Sequence, residues 1–226
     1  MPKINTVPAS LKIGQQRAIG VENELHTRLS HNSAKHERPS DSLFRMIAGK
    51  IGRENHYDSG AIEFTTHPIR ISYAKSKTGY KEVSQYFERL KSITEVSRTN
   101  GTHIHISILR EDHPLLEVRV LVIATAFYRQ LQKIAGRETH WAQRANLREV
   151  SIDGAVEWLG TDRFNRNVSY RGRSGTILGP SRYQTLEFRG PKGTNDYEEI
   201  LAWTELLENI VRVSNRKVLK TLSLIS

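Results

Sequence analysis

The sequence predicts an α+β domain. Four short segments alternate apolar and polar residues with period two, as half-buried strands do. Four longer segments repeat apolar residues at helical spacing. The two kinds of segment are interleaved along the chain, with no internal repeat and no low-complexity tract.

In chain order, Arg17–Leu25 reads as the first strand. From Asp41 to Arg53, Leu43, Phe44, Ile47 and Ile51 mark a helix. Ala61–Thr66 is the second strand. From Lys81 to Ser97, Val83, Tyr86, Phe87, Leu90 and Ile93 mark the next helix. Thr102–Ile108 is the third strand. Leu115–Ile134 is apolar nearly all round, so burial is expected, and Gly136 is placed to stop it. Gln184–Arg189 is the fourth strand. The last helix begins near Asn195, where Asn195 and Glu198 have the spacing of a capping box. It then runs through Ile200, Leu201, Leu207, Ile210 and Val211. Thr27–Ser40, Arg70–Tyr80 and Gly136–Asn167 read as loops. Loops this long are most often lids, binding loops or disorder. Residues 1–226 are therefore expected to form one domain, with a lid or insertion around 136–167.

Composition narrows the function classes. The chain has 226 residues, 37% apolar and 26% charged, enough to bury a core and too apolar for a disordered chain. Its mean hydropathy is −0.52. The longest apolar stretch, Leu115 to Tyr128, is interrupted by Glu117 and Arg119 and falls short of the about 20 apolar residues a spanning helix needs. The opening MPKINTVPASLKIG has no continuous apolar run, so no secretory signal is expected. The absence of cysteine excludes disulfides, a thiol nucleophile and thiolate–zinc sites, and suits a cytoplasmic setting. The net charge of +10 invites a nucleic acid, and fits an enzyme with an anionic substrate almost as well.

Successive strand residues point to opposite faces, so parity assigns each side chain to a side. Ile19, Val21 and Leu25 share one side of the first strand, and Glu22 and Glu24 the other. Ile62 and Phe64 flank Glu63. The isoleucines of His103-Ile104-His105-Ile106 oppose the two histidines, and Glu187 and Arg189 oppose Leu186 and Phe188. If the apolar sides cover one core, the other sides gather Glu22, Glu24, Glu63, His103, His105, Glu187 and Arg189. None is lysine, although basic residues outnumber acidic ones by 34 to 24. A single Glu on a strand is most often simply solvent-exposed, so the fourfold coincidence carries the reading. Clustered carboxylates repel unless cations compensate. Mg²⁺ prefers oxygen ligands and bridges to phosphate oxygens, so the array makes sense as a magnesium–nucleotide site. Arg189 is suited to clamp a phosphate or carboxylate.

The segments Gly20-Val21-Glu22-Asn23-Glu24, Asp58-Ser59-Gly60-Ala61-Ile62-Glu63-Phe64, Gly101-Thr102-His103-Ile104-His105 and Thr185-Leu186-Glu187-Phe188-Arg189, in this order, resemble the amidoligase family. That family belongs to the carboxylate–amine ligase superfamily of glutamine synthetase and glutamate–cysteine ligase. The resemblance runs from about Arg17 to the C-terminal helix, including Gly193-Thr194 after the last strand. It implies a curved antiparallel β-sheet with helices packed on its outer face, as in the catalytic domain of glutamine synthetase. It also implies that ATP phosphorylates a substrate carboxylate and that an amine then displaces phosphate. By matching position, Glu22, Glu24, Glu63 and Glu187 are implied Mg²⁺ ligands. His103 is implied at metal or nucleotide phosphate, and Arg189 at the transferring phosphoryl group. His105 matches the family's second histidine. Asp58 matches an acidic residue that holds a metal-bound water, binds the amine or makes the turn. The order Asp58-Ser59-Gly60 departs from the family's usual Asp-Gly-Ser.

No Walker-type GxxxxGK[ST] occurs. Arg171-Gly172-Arg173-Ser174-Gly175-Thr176 reads either as a phosphate-binding loop or as a basic surface turn. Arg182, Arg144 and Arg148 are further candidates for ATP or an acidic small molecule or peptide. The rival expectation is a nucleic-acid-binding protein or metal-dependent nuclease, since carboxylates with divalent metals also cut phosphodiesters. Against it, the basic residues are scattered, and no recognised nucleic-acid-binding motif occurs.

Overall fold

A computed structural model of the chain describes residues 16–28, 41–58, 61–97, 100–113, 115–136, 178–180 and 185–216; for 57, 58, 179 and 180 it describes the backbone only. The strands are β1 (Ala18–Thr27), β2 (Gly52–Asp58), β3 (Ala61–Thr66), β4 (Ile69–Arg70), β5 (Thr94–Glu95), β6 (Thr102–Ser107), β7 (Leu178–Pro180) and β8 (Thr185–Phe188). The helices are α1 (Asp41–Ala48), α2 (Ile71–Ala74), α3 (Lys77–Ile93), α4 (Leu116–Ala126), α5 (Tyr128–Ala135) and, last in the chain, α6 (Tyr197–Asn215).

The sheet is antiparallel, in the order β2-β3-β1-β6-β8-β7, with the two-residue strands β4 and β5 pairing the ends of β1. The α+β class and antiparallel pairing therefore hold. The physical cause is the one-sided apolar alternation. Ile19, Val21 and Leu25 of β1, Ile62 and Phe64 of β3, Ile104 and Ile106 of β6, and Leu186 and Phe188 of β8 are all buried in one core. The same core takes Val83, Tyr86, Phe87 and Leu90 from α3, Val120 and Ala124 from α4, and Ile200, Trp203 and Leu207 from α6. Phe188 meets Trp203 edge-on at 5.5 Å, and Phe87 stacks on Tyr197 at 5.6 Å. The helices thus pack on the apolar side of the sheet, and the polar side is left for chemistry.

Several expectations need correction. Arg70–Tyr80 is no loop: Ile69 and Arg70 pair with β1, α2 follows, and α3 begins at Lys77. The Ser76 side chain caps α3 by accepting from the Gly79 amide at 3.1 Å, a cap hidden in a run of Lys, Ser and Thr. The α1 helix ends at Ala48, short of Arg53, because Gly49 turns the chain at φ 54° and leads it into β2.

The expected Leu115–Ile134 helix is broken at Phe127 into α4 and α5, although Gly136 caps the second piece at φ 72° as anticipated. Its expected burial holds in part: Leu116, Val120, Leu121, Ala124 and Leu131 are buried, whereas Val122, Phe127 and Ile134 are about half exposed. The final helix is capped by Asp196, whose carboxylate accepts from the Glu198 amide at 2.9 Å. Asn195 instead donates to Thr94 Oγ1 at 3.4 Å. The region 136–167 lies outside the described residues apart from Gly136. Among the described residues no helix is long and apolar enough to cross a membrane.

One ion pair fastens the sheet's end to the helices. Asp112, almost fully buried, accepts from Arg17 Nη1 at 2.9 Å, from the Leu109 amide at 2.7 Å and from Asn215 Nδ2 at 2.7 Å.

Candidate metal and active site

The register decides which polar side chains meet. In an antiparallel ladder, residues directly opposite share a face. Glu22 lies opposite His103, Glu24 opposite Glu63, His105 opposite Glu187, and His56 opposite Glu63. Four adjacent strands, β3-β1-β6-β8, therefore bring Glu63, Glu22, Glu24, His103, His105 and Glu187 to the face opposite the core, with β2 adding His56 at the edge.

The distances show a connected cluster. Glu22 places one carboxylate oxygen 3.3 Å from His105 Nε2 and the other 3.5 Å from His103 Nδ1. Glu187 Oε1 stands 3.5 Å from His103 Nδ1 and 3.9 Å from His105 Nε2, and accepts from Arg189 Nη1 at 2.6 Å. His103 Nε2 is 3.6 Å from Glu24 Oε1, and His56 Nε2 is 3.4 Å from Glu63 Oε1. Thr185 Oγ1 lies 2.9 Å from His105 Nδ1. One ligand atom each from Glu22, His105 and Glu187 falls within 4.8 Å of the other two, a spacing suited to one metal ion.

The electrostatics explain why these acids tolerate one another. Burial alone would raise the Glu22 carboxyl, but hydrogen bonds and charge attraction from His103 and His105 outweigh it and hold Glu22 far below the usual carboxylate range. Burial would lower His105, but Glu22 and Glu187 push it above its ordinary value of 6.5, with Arg189 opposing them in part. Imidazoles and a guanidinium thus stand where the charge of the carboxylates needs compensation. A divalent cation bound by two carboxylates and an imidazole meets the same need, so the residues fit a metal.

The group that gathers most tightly differs from the expected ligand set. Glu22 and Glu187 belong to both. His105 is the imidazole of the tight group, while His103 sits between Glu22, Glu187 and Glu24. Glu24 and Glu63 form a second pole of the same face, nearer β2. Arg189 is held on Glu187. Asp58 ends β2, its backbone paired with Ala61, and its side chain is outside the described residues. Arg144, Arg148, Arg171, Arg173 and Arg182 also lie outside them.

Two site neighbours carry no clear signal in the sequence. His56 is hidden because the helix read over Asp41–Arg53 overruns the start of β2, the rest of β2 carries no apolar alternation, and the register is irregular between Gly52 and Glu54. Thr185 occupies the right parity, but a strand threonine carries no signal of its own.

No protein-family model and no curated protein matches this chain.

Proposed function

We propose that this chain is an ATP- and Mg²⁺-dependent ligase that joins a carboxylate to an amine through an acyl phosphate. On this reading it belongs with the amidoligases of the glutamine synthetase and glutamate–cysteine ligase superfamily and shares their curved-sheet catalytic fold. One observation carries the proposal: carboxylates and imidazoles from β3, β1, β6 and β8 converge with Arg189 on the face opposite the core.

Phosphoryl transfer asks a protein mainly for positioning and charge neutralisation. Glu22, His105 and Glu187 would hold one Mg²⁺, and Glu24, Glu63 and His103 supply the oxygen and nitrogen donors beside it. Bound Mg²⁺ supplies neutralisation of the triphosphate as its terminal phosphoryl group moves to the substrate carboxylate. Arg189, fixed by Glu187 at 2.6 Å, points its positive charge at the cluster and is suited to steady that phosphoryl group. The amine then attacks the acyl carbon, phosphate leaves, and the amine's proton passes to a base, for which Asp58 and Glu63 are the candidates. Arg171, Arg173 and Arg182 are proposed to hold nucleotide or an acidic substrate. A cytoplasmic setting suits a cysteine-free enzyme that consumes ATP.

The scatter of basic residues along the sequence, with no recognised nucleic-acid-binding motif, favours this reading over a nucleic-acid-binding protein. The deciding experiment supplies purified protein with ATP, Mg²⁺ and a cell extract as source of carboxylate and amine. Coupled release of ADP and phosphate, with an amide product in the mass spectrum, is expected. Metal-dependent cleavage of DNA or RNA with no such product would assign the same cluster to a nuclease.

A further inference from the structure

His105, the imidazole of the proposed metal site, has two ring nitrogens with different surroundings. Nε2 faces Glu22 and Glu187, where the cation is proposed to sit. Nδ1 faces Thr185 Oγ1 at 2.9 Å. A neutral imidazole that gives its lone pair to a metal must carry its proton on the other nitrogen, and that N–H needs an acceptor when buried. His105 is buried, with 8% of its side chain exposed.

The register sets this contact. His105 pairs directly with Glu187, and Thr185 lies two residues earlier on β8, on the same face and diagonal to the imidazole. Another hydroxyl on that face, Ser107, is opposite Thr185 and accepts from the Ala18 amide at 2.9 Å.

We infer that Thr185 is a positioning residue: its hydroxyl accepts from His105 Nδ1–H, fixing the tautomer and ring angle that aim Nε2 at the metal. This inference rests on the metal site proposed above. It adds a residue that touches neither metal nor substrate and acts through His105. Valine keeps the shape and strand preference of threonine and removes only the hydroxyl. Serine restores the hydroxyl without the methyl group.

The test measures Mn²⁺ binding to the full chain at pH 7.5, reading free Mn²⁺ by electron paramagnetic resonance. Wild type should bind, and Glu187→Ala should not. Thr185→Val should bind about 10–100-fold more weakly, the usual cost of losing an outer-sphere partner, and Thr185→Ser should return to near wild type. Thr185→Ala, which also lacks the hydroxyl, should match the valine variant and gives the reading should valine fail to fold. If wild type binds and Glu187→Ala does not, yet Thr185→Val and Thr185→Ala bind like wild type, the positioning role is wrong and the metal site stands. The positioning role is equally wrong if serine is as weak as valine, since shape and not the hydroxyl then matters. If wild type takes no Mn²⁺, the metal site falls and this role with it.

Discussion

His103 stands opposite Glu22 across the β1–β6 ladder, with Nδ1 3.5 Å from Glu22 Oε2 and its other nitrogen 3.6 Å from Glu24 Oε1. One imidazole thus lies between both carboxylates of β1, and Glu22 also reaches His105. Removing Glu22 therefore strips a partner from two histidines and a ligand from the tight group. Glu22→Ala and Glu187→Ala are each expected to lower ADP release by at least about 100-fold, the scale of losing one preorganised charge contact in a site. Circular dichroism should show the fold retained, because both side chains lie off the core face. Glu54→Ala is the control: Glu54 is exposed, 3.5 Å from exposed Arg53, and its loss should leave turnover unchanged. Full activity in both site variants would remove the proposed centre.

The metal-free protein should show a stability profile set by the same cluster. Glu22 titrates below its ordinary 4.5 in the folded state, so its contribution is present above pH 4.5 and is lost as pH falls toward the folded value. His105 titrates above 6.5, so its contribution is complete below pH 6.5 and is lost as pH rises through the folded value. Thermal unfolding in chelator should accordingly peak between about pH 4.5 and 6.5 as far as this pair is concerned. Glu22→Gln should flatten both limbs, because Glu22 is the hydrogen-bond partner behind both shifts. An unchanged profile in that variant would show that other groups set it. Metal must compete with a proton on His105, so Mn²⁺ affinity should rise with pH over the same upper limb.

The polar face was legible because period-two alternation of apolar and polar residues runs through Ile62–Thr65 and His103–Ser107. Glu63, His103 and His105 could be assigned to a side from parity alone. Pairing was not legible. That β1 sits between β3 and β6, and so places Glu22 against His103, depends on contacts across about 80 residues of chain, which no local pattern records. Residue type alone is a poor guide to placement. Asn23 lies on the core side and is fully buried, its Oδ1 accepting from Thr102 Oγ1 at 2.9 Å, although asparagine ordinarily marks a turn or surface. The largely apolar Leu115–Ile134 stretch suggested burial nearly all round, yet Val122, Phe127 and Ile134 face outward, and the helix breaks at Phe127.

The buried ion pair at the sheet's end offers a test of stability apart from chemistry. Asp112 satisfies three partners at once: the Arg17 guanidinium, the Leu109 amide and the Asn215 side chain. Asp112→Ala removes the counter-ion of a largely buried guanidinium, which keeps the Ser107 carbonyl, and takes the acceptor from the Leu109 amide. The expected cost is about 3–5 kcal/mol in denaturant unfolding, as for breaking a buried pair by removing one member. Asp112→Asn, which keeps an acceptor oxygen, should cost less. Equal losses for the two variants would place the effect in packing and not in hydrogen bonding.

Gly193 carries the chain from β8 toward α6 and presses directly on Asn100. Its amide donates to the Asn100 carbonyl at 2.8 Å, and a Cβ added there would stand 2.5 Å from the Asn100 Cβ. Next to it, the Thr194 amide donates to Thr102 Oγ1 at 2.9 Å, so this close approach ties the connection to the residue before His103. Gly193→Ala must push the connection off β6, at an expected cost of about 1–3 kcal/mol. The clash is specific to one neighbour, which makes it testable by a double-mutant cycle. Asn100→Gly removes the opposing Cβ, so Gly193→Ala should cost clearly less in that background than in the wild type. Denaturant unfolding of the four proteins measures the difference. Strictly additive costs would mean that the contact between these two positions is not what demands glycine.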